Sequence, residues 1–299
     1  MKSGFVPVVG RPNVGKSTLV NQMVGTKVAI TSKRPQTTRN AIRGVLTGPS
    51  ATNPEFQAVL VDTPGLHKPK NELGNRLNSV VYGTLAGADV VLFVIDATMP
   101  VGPGDKLIAE RLASSNSDVL VVVNKIDRAS RVQTIEQLTK ASGWSFAEFL
   151  PISAKNGEGV SQLIAEVVKR LPDGPRFYPE GMTTDQPEAM VISEIVREKF
   201  LDRLREELPH SLVVRIEEVE QRPSGIIDVI ADVIVERNSQ KGIVIGKGGS
   251  LLEIAGTEAR KELETLLGSK VNLVLHVVVE KDWQRRPQLL DRLGFDIES

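Results

Sequence analysis

The sequence predicts an α/β protein of two domains: a mainly parallel six-stranded sheet with helices on both faces, then a smaller α+β domain. Three observations predict it. Apolar runs such as Phe5–Val9, Val90–Ile95 and Val119–Val123 alternate with helical patterns through the first half, as strands buried on both faces do. Several of these runs end in a polar cluster, and ligands of parallel sheets sit at the carboxyl ends of strands. A stretch rich in proline and glycine, Leu171–Pro175 with Pro179, Gly181 and Pro187, then interrupts the alternation without a period of its own, as linkers do. The expected boundaries are 1–173 for the first domain, 174–187 for the linker and 188–299 for the second domain.

The elements follow in order. A strand at Phe5–Val9 leads through a glycine-bearing loop into a helix from Thr18. The polar segment Thr31–Arg39 has no apolar period and reads as a mobile loop. Ala41–Leu46 and Phe56–Val61 read as strands, separated by a surface turn that carries Gly48, Pro49, Asn53 and Pro54. A helix opens at Asn71–Asn78 and ends near Gly87. The strand Val90–Ile95, a helix at Lys106–Ser114, the strand Val119–Val123, a helix at Val132–Ser142, a strand at Phe149–Ile152 and a helix at Val160–Leu171 complete the first domain. In the second, Ile192, Ile195, Val196, Phe200, Leu204 and Leu208 repeat at helical spacing up to Pro209. Strands at Leu212–Glu218 and Ile226–Val235 join across Arg222-Pro223-Ser224-Gly225. A glycine loop at 246–249 lies between helical segments, and Val271–Val279 is the last strand.

The whole chain sets limits. Its 299 residues suit about two domains. There is no cysteine, hence no disulfide framework or thiolate metal site. Basic and acidic residues balance at 37 each, so a nucleic-acid site has to come from a local patch rather than a global field. No signal pattern precedes the first strand, and no apolar stretch approaches the roughly 18 residues of a membrane span. We expect a cytoplasmic monomer, with peripheral contact at the inner membrane left open.

Gly10-Arg11-Pro12-Asn13-Val14-Gly15-Lys16-Ser17 is a G-x-x-x-x-G-K-S loop between a strand and a helix. Gly10 and Gly15 permit a turn whose N–H groups face an anion, and the helix that continues through Thr18 adds unpaired donors. Lys16 reaches the β- and γ-phosphates, and the Ser17 hydroxyl suits Mg²⁺. Asp62-Thr63-Pro64-Gly65 closes a strand: Asp62 is a second Mg²⁺ ligand, and the Gly65 N–H meets a γ-phosphate. Thr37 or Thr38 completes the metal shell, with Thr38 preferred.

Asn124-Lys125-Ile126-Asp127 selects the base. The Asp127 carboxylate accepts two hydrogen bonds from guanine N1–H and its amino group, which adenine does not offer in that arrangement. An unpaired, desolvated carboxylate costs enough for roughly thousandfold discrimination or more, which disfavours an adenine-nucleotide kinase. Asn124 ties the base loop to the phosphate loop, the Lys125 stem lies against the ring, and Ser153-Ala154-Lys155 presents the Ala154 N–H to guanine O6. The ligand is GTP or GDP with Mg²⁺.

These residues, with Gln36-Thr37-Thr38-Arg39 and Asp62-Thr63-Pro64-Gly65-Leu66-His67 in the same order and spacing, resemble the translation-factor-related GTPases, in particular the Era-type GTPases, over the whole chain. Leu66 stands where Ras-like switches carry a water-orienting glutamine, so the resemblance implies slow intrinsic hydrolysis. His67 reads as a solvated loop histidine rather than a base. Asn13 resembles the family position that helps a potassium ion bridge the phosphates, supplying positive charge in place of an arginine finger.

In the second domain Gly246-Lys247-Gly248-Gly249 is a G-x-x-G loop, which clamps a nucleic-acid backbone in KH domains. Ile243, Val244 and Ile245 before it suggest an apolar groove for unstacked bases. Lys281, Trp283, Arg285 and Arg286 place an aromatic among cations, as single-stranded RNA would require, although a tryptophan packed into its own domain fits as well. The element order resembles the KH variant of Era-type proteins. That implies binding of the 3′ end of small-subunit (16S) ribosomal RNA and a role in 30S subunit assembly. The layout of the chain, with a nucleotide-sensitive loop around Thr31–Arg39, a Pro/Gly linker and an RNA module that carries no catalytic residues, leads us to expect coupling of RNA binding to GTP. A membrane-associated signalling switch, or an RNA-binding module with a structural nucleotide, is the alternative reading.

Overall fold

The computed structural model describes residues 1–32, 34, 36–49, 55–114, 117–204 and 208–295. Lys33 and Pro35 of the polar loop, and Asn53 and Pro54 of the expected turn, lie outside them. The chain forms two compact units. One comprises Met1–Thr31, Thr38–Lys70 and Gly74–Asp185; the other comprises Ser32–Thr37, Asn71–Leu73 and Gln186–Ser299.

The first unit is built on a six-stranded sheet in the order β2-β3-β1-β4-β5-β6. Its strands are β1 (Lys2–Val9), β2 (Ile42–Gly48), β3 (Phe56–Asp62), β4 (Val90–Asp96), β5 (Asp118–Asn124) and β6 (Glu148–Pro151). Only the β2–β3 pair is antiparallel; β1–β3, β1–β4, β4–β5 and β5–β6 are parallel. Helices α1 (Lys16–Val24), α2 (Glu72–Ala86), α3 (Pro103–Leu112), α4 (Arg131–Ala141) and α5 (Val160–Arg170) connect them.

The period-two alternation of strands divides the core into two layers. Val90, Leu92 and Val94 join Leu19 and Val20 of α1 and Leu163 and Val167 of α5 on one face. Val91, Phe93 and Ile95 join Val81 of α2, Ile108 and Leu112 of α3 and Ala141 of α4 on the other. Both faces of β4 are therefore dry, which is why its sequence shows an unbroken apolar run.

Helix α3 starts three residues earlier than the apolar pattern suggests. Pro103 occupies its first turn, where a missing N–H costs nothing, and Asp105 accepts from the Gly102 N–H at 2.9 Å. The expected linker does not hang free. Gln57 of β3 accepts from the Phe177 and Tyr178 N–H groups at 2.8 and 2.9 Å, and donates to the Tyr178 carbonyl at 3.1 Å. The Val45 N–H donates to the Thr183 carbonyl at 2.8 Å. A fully buried glutamine thus holds the Pro/Gly segment against the sheet, and the first compact unit runs to Asp185.

The second unit carries α6 (Glu188–Leu201), α7 (Leu208–Ser211), β7 (Val213–Gln221), β8 (Ile227–Val235), α8 (Asn238–Ile245), α9 (Ser250–Leu267), β9 (Val271–Val279) and α10 (Pro287–Arg292). Strand β7 pairs antiparallel with β8, and β8 pairs parallel with β9. The helix expected to run to Leu208 stops at Leu201, capped at Asp202; residues 205–207 lie outside the described residues. Leu204 and Leu208 are nonetheless buried, so the apolar pattern marked the core and not the helix end. Ala255, Ala259 and Leu263 of α9 close that core over Val229, Ala231 and Val233 of β8.

Candidate functional site

The phosphate loop leaves β1 at Val9 and enters α1 at Lys16. Gly10 has φ 154°, and a Cβ there would lie 2.4 Å from the Val94 carbonyl oxygen; at Gly15, φ 100°, it would lie 2.3 Å from Nδ2 of Asn124. Both glycines are needed because backbone from β4 and the side chain of Asn124 come that close. Val14 turns its side chain into the core, so its contribution to a ligand is through the main chain. Asn13 sits at φ 65°, uncommon for a residue with a Cβ. Lys16 is buried and donates to the carbonyls of Gly10 and Arg11 at 3.4 and 3.2 Å. Burial pulls its pKa down to about 8, against an opposing pull from the Asp62 carboxylate.

Three oxygens converge beside it. Oδ2 of Asp62 accepts from the Ser17 hydroxyl at 2.6 Å and from the Thr38 hydroxyl at 2.9 Å, and those two hydroxyls are 2.9 Å apart. A carboxylate with two hydroxyls is a hard-oxygen donor set of the kind Mg²⁺ takes. Thr37 is occupied elsewhere: its hydroxyl lies 2.9 Å from Ser32 Oγ and donates to the Arg34 carbonyl at 2.8 Å. Thr38 is therefore the threonine placed for the metal.

Beyond Asp62, the Thr63 hydroxyl donates to the Val8 carbonyl at 2.8 Å, fixing the chain as it leaves β3. Pro64 is buried. Gly65 packs so closely on the phosphate loop that a Cβ would meet Pro12 N at 2.7 Å. Leu66 is buried in the sheet core, with its N–H on the Gly10 carbonyl at 3.2 Å. It points away from solvent and offers nothing to a water molecule. Nδ1 of His67 lies 2.9 Å from the Gly65 carbonyl, which makes the ring part of the local turn.

On the base side, Asn124 donates to the Val14 carbonyl at 2.8 Å and accepts from the Ala154 N–H at 2.9 Å. It bridges the phosphate loop and the 153–155 loop. The Ala154 N–H, expected to face guanine O6, is here committed to that bridge, because Asn124 is buried between the two loops. Lys125 donates at 2.6 Å both to the Asn13 carbonyl and to Asp96. Burial raises the Asp96 carboxyl, but hydrogen bonds from Lys125 and Thr98 outweigh it and hold the group below the usual carboxylate range. Ile126 packs into the core, whereas Asp127 is exposed at the loop tip and accepts from the Ser153 hydroxyl at 2.7 Å. A cavity of about 480 Å³ opens between α1 and the 153–155 loop, lined by Thr18, Gln22, Lys27, Thr31 and Lys155 among others. Gln22 and Lys27 escaped the sequence reading, since no motif contains them, whereas Thr31 opens the polar loop already singled out.

The second unit holds a groove of about 530 Å³ beside the 246–249 loop. Gly246, Gly248 and Gly249 all have positive φ, and Cβ atoms at Gly248 and Gly249 would meet only open space. The walls are Leu252, Glu253, Thr257 and Arg260 of α9 and Leu273 and Leu275 of β9. The expected apolar wall at Ile243–Ile245 divides: Val244 is fully buried, Ile245 is partly buried against the core and Ile243 is exposed on α8, while the groove takes its apolar lining from α9 and β9. Alternating, half-exposed leucines on β9 were the available signal. Trp283 is corrected. It is fully buried, its indole N–H donates to the Ser211 carbonyl at 3.1 Å, and its ring stacks on Phe295, so it presents no face to a base. Lys247, Lys281, Arg285 and Arg286 are exposed.

A family model described as a 50S ribosome-binding GTPase matches residues 5–125, and one for the KH domain matches residues 207–284. The GTPase Era of Mycobacterium bovis is 51% identical over 300 residues, covering 98% of each chain. The chain belongs to the Era family of GTPases. Its first unit is the G domain and its second the KH domain, and its reaction is GTP hydrolysis. Era of Heliobacterium modesticaldum is 46% identical over 99% of this chain. An Era variant from Aquifex aeolicus bound to GDP·AlF4⁻ superposes with TM-score 0.93 at 39% identity, covering 99% of this chain and all of that one. An Era structure in complex with MgGDPNP and nucleotides 1506–1542 of 16S ribosomal RNA matches equally well.

Proposed function

We propose that this Era GTPase binds the 3′ region of 16S ribosomal RNA in the groove beside Gly246–Gly249 and assists maturation of the small ribosomal subunit, with RNA affinity set by the bound nucleotide. The observation that carries the reading is that groove, in a chain matching at TM-score 0.93 a relative solved with that RNA. The G-domain model's description names the large subunit but covers only residues 5–125; the RNA-bound relative covers both domains, and we follow it. Exposed Lys247 beside glycines open to solvent suits a phosphate backbone, and Arg285 and Arg286 add charge for single-stranded RNA. Leu252, Leu273 and Leu275 offer unstacked bases an apolar wall.

In the G domain, Ser17, Thr38 and Asp62 would hold Mg²⁺, which neutralises charge on the β- and γ-phosphates. Lys16 supplies a second positive charge, and the Gly65 N–H receives the γ-phosphate. Water attacks the γ-phosphorus as the bond to the β–γ bridging oxygen breaks; GDP leaves, and the water's proton passes to the phosphate formed or to solvent. With Leu66 buried, orientation of that water falls to the main chain and to cations, and we assign Asn13 as the residue that helps hold potassium there. Crosslinking in cells followed by sequencing of the bound RNA tests the partner. Reads concentrated at the 3′ end of 16S RNA are expected; reads spread over unrelated RNAs overturn the assignment.

A further inference from the structure

The phosphate loop has a support outside the nucleotide motifs. Between Gly10 and Gly15 the loop runs Arg11-Pro12-Asn13-Val14, with no glycine to relieve a tight turn. Pro12 lacks an N–H, and Asn13 is held at positive φ. Such a conformation persists only where its surroundings enforce it. Two restraints come from the site itself: Gly65 packs on Pro12, and Lys125 holds the Asn13 carbonyl. The third comes from α3. Nε of Arg11 donates to Oδ1 of Asp105 at 2.9 Å. The Asp105 side chain is 1% exposed and that of Arg11 30%.

Asp105 is a fixed post. Its other oxygen accepts from the Gly102 N–H at 2.9 Å, capping α3, and the preceding Val101 N–H donates to the buried Gln137 of α4 at 2.9 Å. The Arg11 stem lies along the first turn of α3, where a Cβ at Gly104 would approach its Cδ to 2.8 Å. The Arg11 carbonyl in turn receives the Lys16 ammonium. The side chain of residue 11 is therefore anchored on a helix, while its peptide flanks the phosphate site.

We propose that Arg11 and Asp105 are a positioning pair for GTP hydrolysis: the buried carboxylate fixes Arg11, and Arg11 fixes the loop apex so that Asn13 and Lys16 meet the γ-phosphate in the reactive geometry. Neither side chain touches the substrate. The inference rests on the hydrolytic reaction alone and is independent of the RNA partner. Binding of GDP draws on the N–H groups at Gly15–Ser17, which begin α1, and on the Lys16 ammonium, whose stem is placed by α1 rather than by the Arg11 side chain. Loss of the pair therefore acts on turnover, where misplacement by about 1 Å costs up to roughly a hundredfold.

The test is GTP turnover and GDP affinity for Arg11→Gln, Asp105→Asn, the double variant and Arg11→Lys. The expected result is a kcat lowered about tenfold in each single variant, with the double no lower than the worse single, as for residues acting as one unit. GDP affinity stays within about twofold of wild type, and Arg11→Lys, which keeps the charge, recovers most of the loss. Should Asp105→Asn fail to fold because α3 loses its cap, Arg11→Gln and Arg11→Lys decide the matter alone. Unchanged kcat in Arg11→Gln, a loss of GDP affinity equal to the loss of kcat, or single effects that multiply would each overturn the pair.

Discussion

The Ser153 hydroxyl donates to Oδ1 of Asp127 at 2.7 Å. The bond joins the 124–127 and 153–155 loops and fixes the carboxylate that we propose selects the base. Asp127→Asn exchanges an acceptor for a donor, which suits the 2-oxygen of xanthine and not the amino group of guanine. Affinity for GTP should fall by about a hundredfold or more, and affinity for xanthosine triphosphate should rise. Competition binding with the two nucleotides measures both. Unchanged GTP affinity would remove Asp127 from the base site.

Lys16 gives a pH dependence. Its pKa in the folded protein is lowered to about 8 by burial, against an unfolded value near 10.4. Between these values the unfolded chain binds more protons, so the stability of the nucleotide-free protein rises with pH from about 8 to about 10.4 as the cost of a buried charge disappears. Nucleotide binding has the opposite sign: phosphates favour the ammonium, so binding takes up a proton above pH 8 and GDP affinity falls as pH rises. Titrations from pH 7 to 9.5 should show this decline in wild type and lose it in Lys16→Met.

Hydrolysis should be faster in potassium than in sodium at matched ionic strength, and Asn13→Ala should reduce the difference. The motive is that Leu66 is buried at the position where a polar side chain would orient water. Equal rates in the two salts would place the missing positive charge elsewhere.

Trp283→Ala should cost about 3–5 kcal/mol of stability, as expected for a large buried aromatic. RNA affinity of the folded fraction should change little, because the indole is enclosed against Phe295 and Ser211. Arg285→Ala should do the reverse. Chemical denaturation and RNA titration of the same samples separate the two effects.

Much of this was legible in the residues. Apolar runs gave the strands of the first sheet because both faces of that sheet are covered, and each nucleotide motif lay at a strand end. Thr38 over Thr37 required coordinates, since adjacent threonines in a loop differ only in which way they turn. For Trp283 the residues left two readings open, because flanking charges describe the chain around a side chain and not the pocket it fills; the structure shows the packed one. The walls of the second groove come from residues some twenty positions apart on α9 and β9, Leu252 and Leu273, a juxtaposition that only the closed fold creates. The pairing of Arg11, already legible in the phosphate loop, with the distant Asp105 was invisible for the same reason.

The central claim is that the nucleotide site governs RNA binding at the Gly246–Gly249 groove. Thr38, at the metal-ligand position, follows directly in the chain on Ser32–Thr37, which belongs to the second unit. The direct measurement is a titration of a single-stranded fragment from the 3′ end of 16S RNA into protein loaded with GDP or with a non-hydrolysable GTP analogue. Gly248→Asp serves as the control, since a carboxylate there repels phosphate. The account predicts tighter binding in the GTP-like state by about 5–150-fold, and, by linkage, an equal strengthening of nucleotide binding by RNA. Equal RNA affinity in the two states, with binding still abolished by Gly248→Asp, would contradict it.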